Sequence, residues 1–155
     1  MNIVNRGADW TKNRYDLTTK VYHHSKHLSS EFHTYGLYWS EDRLYTYFDD
    51  PANIILDVDF TKQNFWDFGK FPSSYQNPWE NAGNAAPFNK EYYLIINLAV
   101  GGVNYFKDGV ANKPWNNQSP NSVNEFYNAK NSWWPTWQNP DVSMQIDSVK
   151  VWSFE

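Results

Sequence analysis

Asp57 and Asp59 form the pair of carboxylates whose spacing could do chemistry. Residues i and i+2 share one face of a strand at roughly 6.5–7 Å. Glycosidic bonds are cleaved between two carboxyl groups about 5–5.5 Å apart in retaining enzymes and about 6.5–9.5 Å apart in inverting ones. However, Leu56, Val58 and Phe60 make the opposite face apolar. The two Asp side chains then fall on the solvated face of an ordinary amphipathic strand. His23, His24 and His27 cluster in a polar stretch and would hold a metal only if it were helical; a solvated loop is the simpler reading. His33 alternates with Phe32 and reads as a hydrogen-bonded structural histidine. There is no G-x-S-x-G elbow for a serine nucleophile. Gly101-Gly102 alone signals a tight turn rather than a phosphate loop. The absence of cysteine excludes thiolate catalysis, disulfides and cysteine-ligated zinc.

The unusual feature is aromatic content: nine Trp, eleven Tyr and ten Phe, or 19% of the chain, beside 19 Asn. Aromatic residues favour strands and asparagine favours turns. The combination suits a β-protein with long, amide-rich loops. It also suits a sugar, whose C–H face stacks on a ring while its hydroxyls take planar polar partners. Core packing is the competing use for each ring.

The elements that must position these residues follow from periodicity. Glu31–Trp39 alternates and is aromatic-rich, so it reads as a strand; Ser40-Glu41-Asp42 turns it into a second strand, Arg43–Asp49. Asp49-Asp50-Pro51 breaks that strand, and Asn53–Phe60 is a third. Residues 61–71 hold one helical turn stopped near Gly69, and 71–88 form a long loop. Lys90–Val100 is apolar on both faces and reads as the central strand, followed by a second long loop over 103–118. Ser122-x-x-Glu125 is a capping box, and Val123, Phe126 and Tyr127 give a short apolar stripe, so one helix is expected near 122–132. Val142–Ser153 is the last strand. Residues 1–30 read as loop with a strand at the extreme start.

At 155 residues and 18.3 kDa, the chain is one domain's length, with no repeat and no evident boundary. Thirteen Lys+Arg stand against seventeen Asp+Glu, a balance that disfavours nucleic acid. No apolar run approaches the ~18 residues of a membrane span. The start, Met1-Asn-Ile-Val-Asn-Arg-Gly7, has no apolar core or small-residue cleavage site of a signal peptide. That leaves a cytoplasmic protein or a piece of a longer one.

Several segments resemble glycoside hydrolase family 16, in its animal branch of β-1,3-glucanases (laminarinases) and β-1,3-glucan recognition proteins. These are Phe32-His-Thr-Tyr-Gly-Leu-Tyr-Trp39, Ala86-Pro-Phe-Asn89, Tyr92-Tyr-Leu-Ile-Ile-Asn-Leu-Ala-Val-Gly-Gly102 and Met144-Gln-Ile-Asp-Ser-Val-Lys-Val-Trp152. Asn77-Pro-Trp79, Lys113-Pro-Trp-Asn-Asn117 and Phe126-Tyr-Asn-Ala-Lys-Asn-Ser-Trp-Trp-Pro-Thr-Trp137 resemble the animal branch in particular.

The resemblance implies an all-β fold, an antiparallel jelly-roll sandwich of the concanavalin A-like kind, with residues 1–155 as its carboxyl-terminal half. The family's catalytic strand carries Glu-x-Asp-x-x-Glu or Glu-x-Asp-x-Glu. Here Glu31, Glu41, Glu80, Glu91 and Glu125 meet His33, Arg43, Ala82, Tyr93 and Tyr127 two residues on, so no catalytic residue is assigned. Where the next family strand usually carries His-Trp before a glycine, this chain has Asn5-Arg6 before Gly7. By position, Asn97 is expected to hold a sugar hydroxyl, and Trp115 and Trp10 to form cleft rims. No cofactor is implied for the chemistry. Asp147 matches a ligand of a structural calcium, a site left incomplete here because calcium takes ~6–8 oxygens. The expected partner is a β-1,3-glucan, in an extracellular setting, with no nucleic acid and no membrane. Two functions stay open: part of a β-1,3-glucan hydrolase acting by the retaining mechanism, or part of a non-catalytic recognition protein in innate immune sensing.

Overall fold

The computed structural model describes residues 13–103 and 106–154. The chain divides into two compact units, one ending at Tyr92 and the other beginning at Tyr93.

The first unit is built on a three-stranded antiparallel sheet, β1 (Tyr35–Trp39), β2 (Arg43–Phe48) and β3 (Ile54–Asp59), in that order. The strands fall where alternation places them, one to four residues shorter than the full alternating runs. The β1–β2 turn is closed by Ser40, whose N–H donates to the Arg43 carbonyl (2.9 Å) and whose Oγ accepts from the Arg43 N–H (3.1 Å). At the β2–β3 turn Asp49 takes φ 59°, and the Asn53 N–H donates to the Asp50 carbonyl (2.8 Å). The register Leu44↔Val58, Thr46↔Leu56 puts these four side chains on one face, while Arg43↔Asp59 and Tyr45↔Asp57 share the other. A bulge between Thr46 and Tyr47 shifts the pairing from Leu56 to Ile54.

The inward face meets α1 (Phe65–Phe68), a single turn that Asn64 caps by accepting from the Asp67 N–H (2.8 Å) and that gives way to Gly69. Leu44, Phe60 and Phe65 form the core, with Trp39, Val58, Phe68, Trp79, Ala85 and Phe88 packed around them. The loop over 71–88 is pinned to this core: the Asn84 amide donates to the Phe60 carbonyl (2.9 Å), and Phe88 meets Phe65 edge-on (5.3 Å). Arg14 ties the start of the unit to it by donating to the Gly69 carbonyl (2.9 Å).

The second unit is helical and looped. Two short helices, α2 (Ser122–Asn128) and α3 (Lys130–Trp133), meet at Ala129 and run into 3-10 turns at Trp134–Gln138 and Pro140–Val142. The helix expected near 122–132 is therefore present, as two pieces. The capping box is not made at Ser122, which is the first helical residue; instead the Ser119 hydroxyl donates to Glu125 (2.5 Å). The apolar stripe is only part-used, since Val123 and Tyr127 are exposed while Phe126 packs inward.

The expected strands at Lys90–Val100 and Val142–Ser153 are not formed. A strand exists only where a neighbour completes its hydrogen-bond ladder. Among the described residues, the one sheet ends at β3 and no strand pairs with either segment. Their apolar residues, such as Tyr93, Leu94, Ile95, Val151 and Trp152, consequently face solvent. The all-β expectation holds as an antiparallel sheet with a few short helices.

Candidate functional site

The carboxylate pair on β3 is committed to structure. Asp57 takes a bidentate pair of hydrogen bonds from Arg43, Nε to Oδ1 at 2.8 Å and Nη2 to Oδ2 at 2.6 Å. That partner holds the Asp57 carboxyl below its ordinary value. Asp59 accepts from the Thr61 hydroxyl (2.5 Å) and N–H (2.9 Å) and lies 3.1 Å from the Lys62 ammonium; these donors lower it to about 2. An open recess of about 430 Å³ lies beside them, lined by Asp42, Arg43, Asp57, Asp59, Thr61 and Lys62. A general acid must carry a proton near working pH. Both carboxyls are shifted the other way by these partners.

His33 and His24 likewise settle into structure. His33 Nδ1 lies 2.9 Å from Asp49 Oδ2, and the Thr34 N–H donates to the other carboxylate oxygen (2.8 Å). The Thr34 and His33 donors hold Asp49 below its usual value, in that order of importance. His24 packs edge-on against His33 at 5.1 Å. Among the described residues no three His, Asp or Glu side chains gather into a metal site.

The remaining chemistry is aromatic and lies in the second unit. Its loop over 106–117 is organised by Lys113, whose side chain is only 3% exposed. The ammonium lies 2.6 Å from Asp108 and donates to Asn117 (2.5 Å) and to the Phe106 carbonyl (3.1 Å). Hydrogen bonding to Lys113 is also the main cause of a lowered Asp108 carboxyl. The same ammonium lies 5.5 Å from the centre of the Trp115 ring. Trp115 is thus fixed in place: its Nε1–H donates to the Gly102 carbonyl (2.8 Å) and its ring meets Phe126 edge-on at 5.3 Å. Phe126 stacks in turn on Trp133 (4.5 Å, 7° between planes), whose Nε1–H donates to the Phe126 carbonyl (2.8 Å). Trp137 packs on Trp133 at 4.6 Å, and Trp134 stands 5.8 Å from Trp137.

Trp115 therefore belongs to a continuous aromatic row, Trp115–Phe126–Trp133–Trp137–Trp134. Asn97 is exposed in the unpaired segment before Gly101, and none of the hydrogen bonds or ring contacts of Trp115 reaches it. Asp147 is exposed as well. Trp10 lies outside the described residues. Sequence reasoning missed Lys113 as the loop's anchor and Trp134 and Trp137 as a pair. The signal for the pair was W-P-T-W: a proline that ends the helix and two indoles three residues apart.

Such an arrangement offers flat, preorganised apolar faces with polar edges. The chain is 36% identical over 157 residues to a β-1,3-glucan-binding protein of Penaeus monodon, covering 96% of this chain and 42% of that protein. It is 32% identical over 132 residues to Gram-negative bacteria-binding protein 1 of Drosophila melanogaster, covering 82% and 24% respectively. It is 37% identical over 78 residues to a glucan endo-1,3-β-glucosidase of Cryptopygus antarcticus, covering 50% and 23%. No family model matches. No solved structure matches. The chain spans less than half the length of these relatives. By this likeness, the chain belongs to the animal family of β-1,3-glucan-binding proteins and β-1,3-glucanases.

Proposed function

We propose that this chain is part of a β-1,3-glucan-active protein and that its own contribution is to bind the glucan. The observation that carries this reading is the likeness to a β-1,3-glucan-binding protein along 96% of the chain. The aromatic row supports it, because rigid indoles stack on the C–H faces of sugar rings at little entropic cost. Trp115, held by Lys113 and Gly102, is a preformed rim for such a cleft. Asn97 would supply an amide to a sugar hydroxyl, and Trp10 a further rim. In the intact fold, the segments 90–100 and 142–153 would become strands of a jelly-roll sandwich, with partners on both sides. Asp147 would contribute one oxygen to a structural calcium whose other ligands lie elsewhere. The setting in this reading is extracellular.

Hydrolysis by the retaining mechanism and recognition without catalysis are the two forms that activity takes. Within these residues, the engagement of Asp57 and Asp59 with Arg43, Thr61 and Lys62 argues against that pair as the acid and nucleophile, and both forms stay open for the intact protein. Retarded migration of the chain in native gels containing laminarin, with no release of reducing sugar, is the expected result. Unretarded migration would overturn glucan binding. Sugar release lost in Asp57→Asn or Asp59→Asn would restore a catalytic role.

A further inference from the structure

We propose that Trp134 and Trp137 form a second sugar-binding platform, beyond Trp115, built to take two successive rings of a glucan chain that winds rather than one that lies flat. The proposal rests on the glucan-binding reading above and assigns it a place and a shape preference. Three features of the molecule carry it.

The first is placement by backbone. Trp134–Gln138 is a 3-10 turn with Pro135 at its start. Three residues per turn bring side chains i and i+3 onto one side. Trp134 and Trp137 therefore stand side by side, ring centres 5.8 Å apart. The Thr136 hydroxyl donates back to the Trp133 carbonyl (2.6 Å) and ties the turn to α3.

The second is that both rings are held yet open. The Lys130 ammonium lies 5.3 Å from the centre of Trp134, and Trp133 packs on Trp137. Even so, Trp134 is 44% and Trp137 40% exposed. Trp115 and Trp133 both spend their indole N–H on backbone carbonyls of their own unit. A supported ring with an open side loses little rotamer freedom when a ligand lands on it.

The third is the angle. The two ring planes meet at 53°. Consecutive rings of a β-1,4-linked glucan lie in one flat ribbon, which a coplanar pair of indoles would match. A β-1,3 linkage turns each ring relative to the last, so the chain winds. A tilted pair can lie against two successive rings of the winding chain but against only one of the flat ribbon.

The test uses the full chain. Native gels containing soluble laminarin or hydroxyethylcellulose read the affinity of wild type, Trp134→Ala, Trp137→Ala and, as a still more exposed tryptophan off the platform, Trp152→Ala. Each platform substitution should weaken laminarin binding about tenfold, with Trp152→Ala unchanged. A second measurement needs no variant: laminarihexaose should protect Trp134 and Trp137, but not Trp152, from oxidation by N-bromosuccinimide, as read by peptide mass spectrometry. Wild type that binds laminarin with Trp134 and Trp137 unprotected would overturn the platform while leaving glucan binding intact. Equal retardation by hydroxyethylcellulose would overturn the shape preference. Wild type that binds no laminarin would overturn both this proposal and the reading beneath it.

Discussion

The two units of this chain place similar sequence patterns in different circumstances. In the first unit, strands with mixed faces find partners: Leu44, Leu56 and Phe60 turn inward and are at most 6% exposed. In the second, Tyr93–Val100 is a more strongly apolar pattern, yet Leu94, Ile95 and Leu98 are at least 62% exposed and no ladder forms. The difference teaches that β-propensity is a capacity to fit a pleated, half-buried surface rather than an instruction to make one. Hydrophobicity without a neighbour yields an open apolar segment, which is an invitation to pair with another chain.

The largest expected effect therefore lies in the second unit. The purified 155-residue chain should self-associate, eluting in size-exclusion chromatography as soluble oligomers. Replacing Leu94, Ile96 and Leu98 together by Lys should return it to a monomer, because inward charge on an unpaired strand opposes edge-to-edge pairing. A wild-type monomer with one cooperative thermal transition would break the comparison, since the segment would then need no partner.

A matched pair of substitutions sharpens it. Leu44→Ala should cost about 2–5 kcal/mol, because a fully enclosed side chain leaves a cavity behind. Leu94→Ala, the same chemical change at an exposed site, should stay within about 0.5 kcal/mol. Denaturant unfolding followed by tryptophan fluorescence measures both. Equal costs would mean that the second unit buries what this structure leaves open.

Within the sheet, Gly36 is required by its neighbour. A Cβ at this position would stand 1.9 Å from the Tyr47 ring, which crosses the glycine directly opposite it in the register. Gly36→Ala should destabilise the first unit by about 1–3 kcal/mol, and Tyr47→Ala should relieve most of that cost in the double variant. Additive effects in the cycle would show that the ring does not lie there.

The smallest effect is electrostatic. Asp57 is lowered from its ordinary value of 3.8 by Arg43. A carboxylate lowered in the folded state stabilises it above the unfolded value, and that contribution is lost as pH falls from about 4 through the folded value. The pair is nearly half exposed on both sides, so screening limits it to about 1 kcal/mol or less. Arg43→Ala should remove this part of the acid-side slope. An unchanged slope would place the titration on Asp59 or Asp49 instead.

The order Tyr35–Trp39, Arg43–Phe48, Ile54–Asp59 was legible because alternation, a Ser-Glu-Asp turn and an Asp-Asp-Pro break are all local signals. So were the turn at Phe65–Phe68 and the solvated character of Asp57 and Asp59, since a period of two assigns faces without any knowledge of partners. The family was legible from ordered segments of sequence. Three things belonged to tertiary structure. Ser119 rather than Ser122 serves Glu125, because a cap depends on where the chain enters the helix. Lys113 gathers Asp108, Asn117 and the Phe106 carbonyl around one ammonium, a convergence that spacing does not announce. And Lys90–Val100 is no strand, because a ladder is a property of two segments, and a sequence read one segment at a time names only the donor and acceptor groups that wait for it.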